Sequence, residues 1–221
     1  MYELVIFDMD GTLYRFRGSG ADDAIYGSDF YREVKERGIR FIAEKLKVSP
    51  DEAAKIRERL SKDFDNNISN GLEERYGVLR KEYFDSAWGI DPAKYFPPDP
   101  RLRKVLAEIK TKKVVLTTAP RIWVERALTH LGVLDLFDAV YPDEGDAAVH
   151  KPDPKAYLNV LSTFGVSPER ALVVEDEPRS LRIAKELGMS TALVGGKKEN
   201  YINFNLRSVY EVKDVLDKEH T

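Results

Sequence analysis

Beyond residue 100 the chain alternates short, wholly apolar runs with helix-patterned ones, and this alternation restricts the fold more than any other feature. Lys113-Val114-Val115-Leu116-Thr117, Ala139-Val140-Tyr141, Ala171-Leu172-Val173-Val174 and Thr191-Ala192-Leu193-Val194 read as strands. Residues 101–110, 121–131, 154–164 and 178–187 carry helical spacing, and three of these stretches close at Gly132, Gly165 and Gly188. A polar helix over residues 208–218 follows. Strands without a polar face need cover on both sides, which a parallel sheet between two helix layers supplies. The run Glu3-Leu4-Val5-Ile6-Phe7 has the same character and is expected to join that sheet.

Residues 22–96 look different. Phe30, Val34, Ile39, Ile42 and Leu46 recur at intervals of about three to five, as on a helix face. Ser49-Pro50-Asp51-Glu52 reads as a helix start, with Ser49 as N-cap and Pro50 in the first turn, opening a helix over residues 51–64. Gly71 and Gly77 punctuate shorter pieces, and residues 78–88 form a further helix before Gly89 and Asp91-Pro92. No strand candidate occurs here. Phe30, Tyr31, Phe64, Tyr76, Tyr83 and Trp88 read mainly as its interior, and the charged run 32–47 as a solvated face. Tyr95-Phe96-Pro97-Pro98-Asp99-Pro100 is a stiff linker. The sheet domain is therefore expected to be discontinuous: residues 1–17 and 97–221, with an all-helical insertion over residues 18–96.

Composition removes several classes of function. The 221 residues hold 35 Lys and Arg against 38 Asp and Glu, for a net charge of −3, which does not suit a general nucleic-acid binder. With no cysteine there is no disulfide, thiolate nucleophile or cysteine-ligated zinc. No signal-peptide pattern and no run of membrane-spanning length is seen, so the expected setting is the cytoplasm, without membrane or nucleic-acid partners.

Chemistry gathers at the strand ends, where parallel sheets place their ligands. The first apolar run ends in Asp8-Met9-Asp10-Gly11-Thr12. Alternate side chains of a strand share a face, so Asp8 and Asp10 would look the same way, and like charges this close repel. Two uses fit such a pair: a divalent-cation site, or a nucleophile beside a general acid and base. Thr117-Thr118 ends the second run and Glu175-Asp176 the fourth, with His150-Lys151-Pro152-Asp153 between them. Pro120, Pro154 and Pro178 each suit the first turn of a helix, whose free N–H groups favour anions. Taken singly, Thr117 reads as a helix cap, Lys151 as a surface lysine, Asp153 as an N-cap, and His150 as a structural or substrate-edge residue. Together the carboxylates, hydroxyl and lysine suit Mg²⁺ with a phosphate.

Asp8-Met9-Asp10-Gly11-Thr12-Leu13, Val115-Leu116-Thr117, Lys151-Pro152-Asp153-Pro154 and Val174-Glu175-Asp176 resemble, in order, the four motifs of the haloacid dehalogenase superfamily, and its phosphatase branch in particular. Residues 96–117 are also similar to the pyrimidine 5′-nucleotidase-like subgroup. The resemblance implies a Rossmann-like, doubly wound α/β core with a helical cap inserted after the first motif. It implies Mg²⁺-dependent hydrolysis of a small phosphate monoester, of sugar phosphate or nucleotide monophosphate type, through an aspartyl-phosphate. Asp8 would be the nucleophile and Asp10 the acid and base. Thr117, Thr118 and Lys151 would hold the phosphoryl group. Asp8, the backbone carbonyl of Asp10, and Asp176 would hold the metal, with Glu175 behind them. Many relatives have a further acid where this chain has Ser180. A metal-free 2-haloacid dehalogenase, a phosphoglucomutase-type phosphotransferase and a non-enzymatic binder are the rival outcomes on this fold.

Overall fold

The computed structural model describes residues 1–16, 25, 27–143, 151–197 and 199–218. Six parallel strands form one sheet: β1 (Leu4–Phe7), β2 (Lys112–Pro120), β3 (Ala139–Asp143), β4 (Ala171–Glu175), β5 (Ser190–Val194) and β6 (Phe204–Leu206). Their order is β3-β2-β1-β4-β5-β6. The chain steps outward from β1 through β2 to β3, then returns to the other side of β1 with β4. The winding therefore reverses between β1 and β4, and the crevice above that junction is where such sheets bind ligands.

The strand alternation sorts the core into two layers. Leu4 and Ile6 face one way with Val114, Leu116, Val173 and Leu193. They are covered by α7 (Pro154–Phe164), through Tyr157 and Val160, and by α8 (Pro178–Glu186), through Leu181 and Ala184. Val5 and Phe7 face the other way, into the larger cluster with α5 (Pro100–Glu108), α6 (Arg121–Leu131) and α9 (Val212–Lys218). This is the two-sided cover that the wholly apolar strands require.

Between β1 and α5 the described residues form α1 (Asp29–Leu46), α2 (Pro50–Asp63), α3 (Ile68–Tyr76), α4 (Arg80–Ala87) and a 3-10 turn (Pro92–Lys94), with no strand among them. The Ser28 and Ser49 side chains cap α1 and α2 by accepting the Tyr31 and Glu52 N–H groups, and Pro50 opens α2 as its position predicts. α1 packs on α2 and α4, and α3 packs on both of those. The closeness of α1 to α4 depends on Gly38: a Cβ there would lie 2.8 Å from the Tyr83 hydroxyl. Phe30 and Tyr83 are fully or almost fully buried as expected, whereas Tyr76 is exposed. Two contacts tie these helices to the sheet layers. Arg80 on α4 reaches Asp143 at the end of β3, with Nη2 to Oδ1 at 2.7 Å and both groups buried. Phe30 on α1 stacks on Trp123 of α6 with centroids 4.1 Å apart.

Three local expectations change. β6 was not anticipated, because Phe204-Asn205-Leu206 has a polar centre and only three residues. The C-terminal helix starts at Val212, after a short 3-10 turn over Val209–Glu211. Pro154 and Pro178 lie in the first turns of α7 and α8, but Pro120 is the N-cap of α6 and the last residue of a β2 longer than its apolar run.

Candidate active site

Phe7 is level with Val174 in the β1–β4 register, and the Asp8 N–H donates to the Val174 carbonyl at 2.9 Å. One residue further on, Asp8 and Glu175 stand side by side at the reversal point. Both continue the face that α7 and α8 cover, and Lys151 lies just before α7. Its Nζ donates to Asp8 Oδ1 at 2.6 Å and to Glu175 Oε2 at 2.5 Å. All three side chains are at least nine-tenths shielded. Burial lowers the pKa of Lys151, but Asp8 and Glu175 outweigh it and hold the ammonium well above its ordinary range.

Asp8, Glu175 and Asp176 each bring a carboxylate oxygen to within 4.8 Å of one another. Burial, then the Asp8 charge, pushes Glu175 well up and Asp176 up to about 6. Among the described residues, three carboxyl groups thus share one ammonium, and negative charge outweighs positive. The oxygens are not equivalent. Glu175 Oε2 takes Lys151, while its Oε1 accepts the Asp176 and Glu177 N–H groups at 3.1 and 3.2 Å. Glu175 therefore holds the lysine and the turn after β4. Asp8 Oδ2 is buried and has no hydrogen-bond partner among the described residues. Asp176 accepts the Thr12 hydroxyl on Oδ1 at 3.3 Å. A buried acceptor without a donor, in a cluster whose carboxyl groups outnumber its ammonium, fits a hard divalent cation.

Asp10 turns toward a different neighbourhood. Its Oδ1 accepts both the Tyr14 hydroxyl and the Trp123 indole N–H, the latter at 3.0 Å. The indole also donates to the Tyr14 oxygen at 3.0 Å, closing a triangle. Burial pushes the Asp10 pKa up to about 7, against the opposing effect of the two hydrogen bonds. The resemblance gives this side chain the role of acid and base and names neither donor. Tyr14 stands four residues after Asp10, in the loop after the first motif, and that spacing was the available signal. Trp123 looked like any buried helix aromatic.

The remaining expected residues separate by environment. Thr117 is buried and accepts the Ala119 N–H at 3.1 Å, so it shapes the strand end instead of capping α6 from outside. Thr118 is exposed beside it. Asp153 caps α7, accepting the Lys155 N–H at 2.8 Å. Ser180 donates to Glu177 at 2.8 Å within the first turn of α8. His150 lies outside the described residues.

A hydrolase of the haloacid dehalogenase-like family is what this sheet order and these strand-end residues define: the chain matches that family over residues 2–188 and belongs to it. Among individual proteins, it is 28% identical over 204 residues to validoxylamine A 7′-phosphate phosphatase of Streptomyces hygroscopicus subsp. limoneus, covering 86% of this chain and 84% of that one. It is 29% identical over 199 residues to phosphoglycolate phosphatase of Aquifex aeolicus, covering 86% and 83%. In three dimensions it is similar to a HAD phosphatase from Thermococcus onnurineus, with TM-score 0.67, 22% identity and 97% of each chain covered; at that identity the likeness concerns fold alone. No helix among the described residues is long and apolar enough to cross a membrane.

Proposed function

We propose that the chain is a Mg²⁺-dependent phosphatase acting on a small phosphate monoester, of sugar phosphate or nucleotide monophosphate type, through an aspartyl-phosphate. The observation that carries the reading is the pairing of Asp8, buried with one oxygen on Lys151 and one without a partner, with Asp10, half-buried and poised near neutrality. The first has the place of a nucleophile and the second of an acid that becomes a base. The two curated relatives named above support a phosphorylated small molecule as substrate, since both are named as phosphatases of such compounds.

Asp8, the Asp10 carbonyl and Asp176 would hold Mg²⁺, which when bound neutralises charge on the cluster and the phosphate. Lys151 keeps Asp8 oriented and offsets negative charge as the phosphate approaches. Thr117, Thr118 and Lys151 would hold the phosphoryl oxygens. An Asp8 oxygen attacks phosphorus, the bond to the leaving oxygen breaks, and Asp10 gives that oxygen its proton. Asp10 then takes a proton from water, whose oxygen attacks the aspartyl-phosphate and returns the Asp8 carboxylate with inorganic phosphate. Residues 18–96 would be the cap over this site, with residues 1–17 and 97–221 as the catalytic core. A cap excludes water and contacts the leaving group, which favours metabolites over phosphoproteins.

The test is phosphate release from a panel of sugar phosphates and nucleotide monophosphates, with Mg²⁺ and with chelator, by wild type and Asp8→Asn. Metal-dependent release that Asp8→Asn abolishes supports the reading. Halide release from 2-haloacids in chelator, with no phosphate released from any ester, would make the protein a dehalogenase. Transfer of the phosphoryl group to an added sugar in preference to water would make it a phosphotransferase.

A further inference from the structure

We infer that Tyr14 and Trp123 are positioning residues that fix which oxygen of Asp10 carries the catalytic proton; the inference rests on the phosphatase reading above. An indole N–H is only a donor, so the direction of two of the three bonds in the triangle is settled by chemistry. Trp123 donates to Asp10 Oδ1 and to the Tyr14 oxygen, both at 3.0 Å. The Tyr14 hydroxyl, already accepting from the indole, donates its own proton to Asp10 Oδ1. Oδ1 is thereby saturated as an acceptor of two hydrogen bonds. A protonated Asp10 must then carry its hydrogen on Oδ2.

The holders are themselves held. Trp123 is fully buried and stacks on Phe30 at 4.1 Å with an interplanar angle of 29°. Tyr14 is stacked on Phe96 at 4.0 Å with the same angle. Neither ring can turn without disrupting a packed aromatic cluster, so the carboxyl plane of Asp10 is set by residues outside the four motifs. In the first half-reaction the bond from an Asp8 oxygen to phosphorus forms and the bond from phosphorus to the leaving oxygen breaks. The electron pair of the broken bond stays on the leaving oxygen, which receives the Oδ2 proton. A fixed Oδ2 delivers that proton along one direction, and a carboxyl free to rotate does not.

The consequence depends on the leaving group. An ester whose leaving oxygen is already a stable anion needs little proton transfer, and one with a basic leaving oxygen needs much. The experiment measures kcat/KM, which reports the first transfer to Asp8, for substituted phenyl phosphates from p-nitrophenyl to p-methoxyphenyl. Tyr14→Phe removes one oxygen and keeps the stacked ring. Trp123→Phe removes the N–H and keeps an aromatic neighbour for Phe30. Both variants are expected to lose about tenfold or more on the most basic leaving group and much less on p-nitrophenyl, giving a steeper dependence on leaving-group acidity than wild type. Equal losses across the series in both variants, or no loss, overturn the inference and leave the phosphatase reading intact. If Trp123→Phe does not fold, Tyr14→Phe alone decides in the same way. Wild type that releases phosphate neither from these esters nor from the sugar phosphates and nucleotide monophosphates above overturns the phosphatase reading, and this inference with it.

Discussion

Lys151 lies 2.6 Å from Asp8 Oδ1 and is the ammonium that Asp8 shares with Glu175. The contact joins the end of β1 to the loop before α7, across 143 residues of sequence. Replacing Lys151 with Met would leave two buried carboxylates without their cation. Breaking a buried pair from one side costs about 3–5 kcal/mol. Urea unfolding should show a loss of that order, and turnover should fall with it. Adding Glu175→Gln to Lys151→Met removes one orphaned charge and should recover part of the stability. A double variant no more stable than the single one would show that Glu175 is not held by the lysine.

Asp10 gives a pH signature. In the folded chain its pKa is about 7, against 3.8 for an ordinary aspartate. Between those values the folded state keeps a proton that the unfolded state has lost, so rising pH stabilises the unfolded chain. The loss of stability begins near pH 4 and is complete above pH 7. Asp10→Asn carries no such penalty. In chelator at pH 8 it should be more stable than wild type by about 2 kcal/mol, a figure that halves the full shift because solvent reaches the rim of the carboxyl. The difference should vanish below pH 4. Equal urea midpoints at pH 8 would contradict the burial argument.

Metal binding should be visible without any substrate. A cation that binds only the folded chain stabilises it by about 2.7 kcal/mol at roughly 100-fold excess over Kd. For a chain of this size that raises Tm by about 5–10 °C. Asp176→Asn should abolish the Mg²⁺-dependent rise while leaving the fold intact in chelator. A Tm indifferent to Mg²⁺ in wild type would remove the metal from the proposed mechanism.

Arg80 and Asp143 join α4 to the end of β3 at 2.7 Å with both side chains buried. A double-mutant cycle with Arg80→Ala and Asp143→Ala should give a coupling energy of about 1.5 kcal/mol or more, well above the range for exposed pairs. A coupling below about 0.5 kcal/mol would mean that the contact does not tie these helices to the sheet.

The sheet was legible because its strands are unbroken apolar runs, and β6 was not because Asn205 interrupts its pattern. Asp8, Glu175 and Asp176 were legible because they end or directly follow β1 and β4 at the edge where ligands bind, whereas Lys151, in the loop before α7, stood out only beside the other motifs. What each does there was less so. The two tasks of the Glu175 carboxylate, Oε2 on Lys151 and Oε1 on two backbone N–H groups, depend on a turn geometry that its neighbours in sequence do not announce. Trp123 lies 113 residues from Asp10, and only the docking of α6 brings them together. The Tyr14 ring is placed by its stack on Phe96, which comes from the far end of the inserted helices.

The register of β1 has a consequence for how the protein is made. Its four residues pair with Lys112–Val115 on one side and Ala171–Val174 on the other. As the ribosome adds about 5–20 residues each second, the strand bearing the two aspartates waits roughly ten seconds or more for both neighbours. Long-range pairing of this kind is slow and must precede any pocket. An interrupted polypeptide that stops short of β4 carries Asp8 but neither Glu175 nor Asp176, so on the proposed mechanism such a fragment would have no metal site and no turnover of phosphate esters.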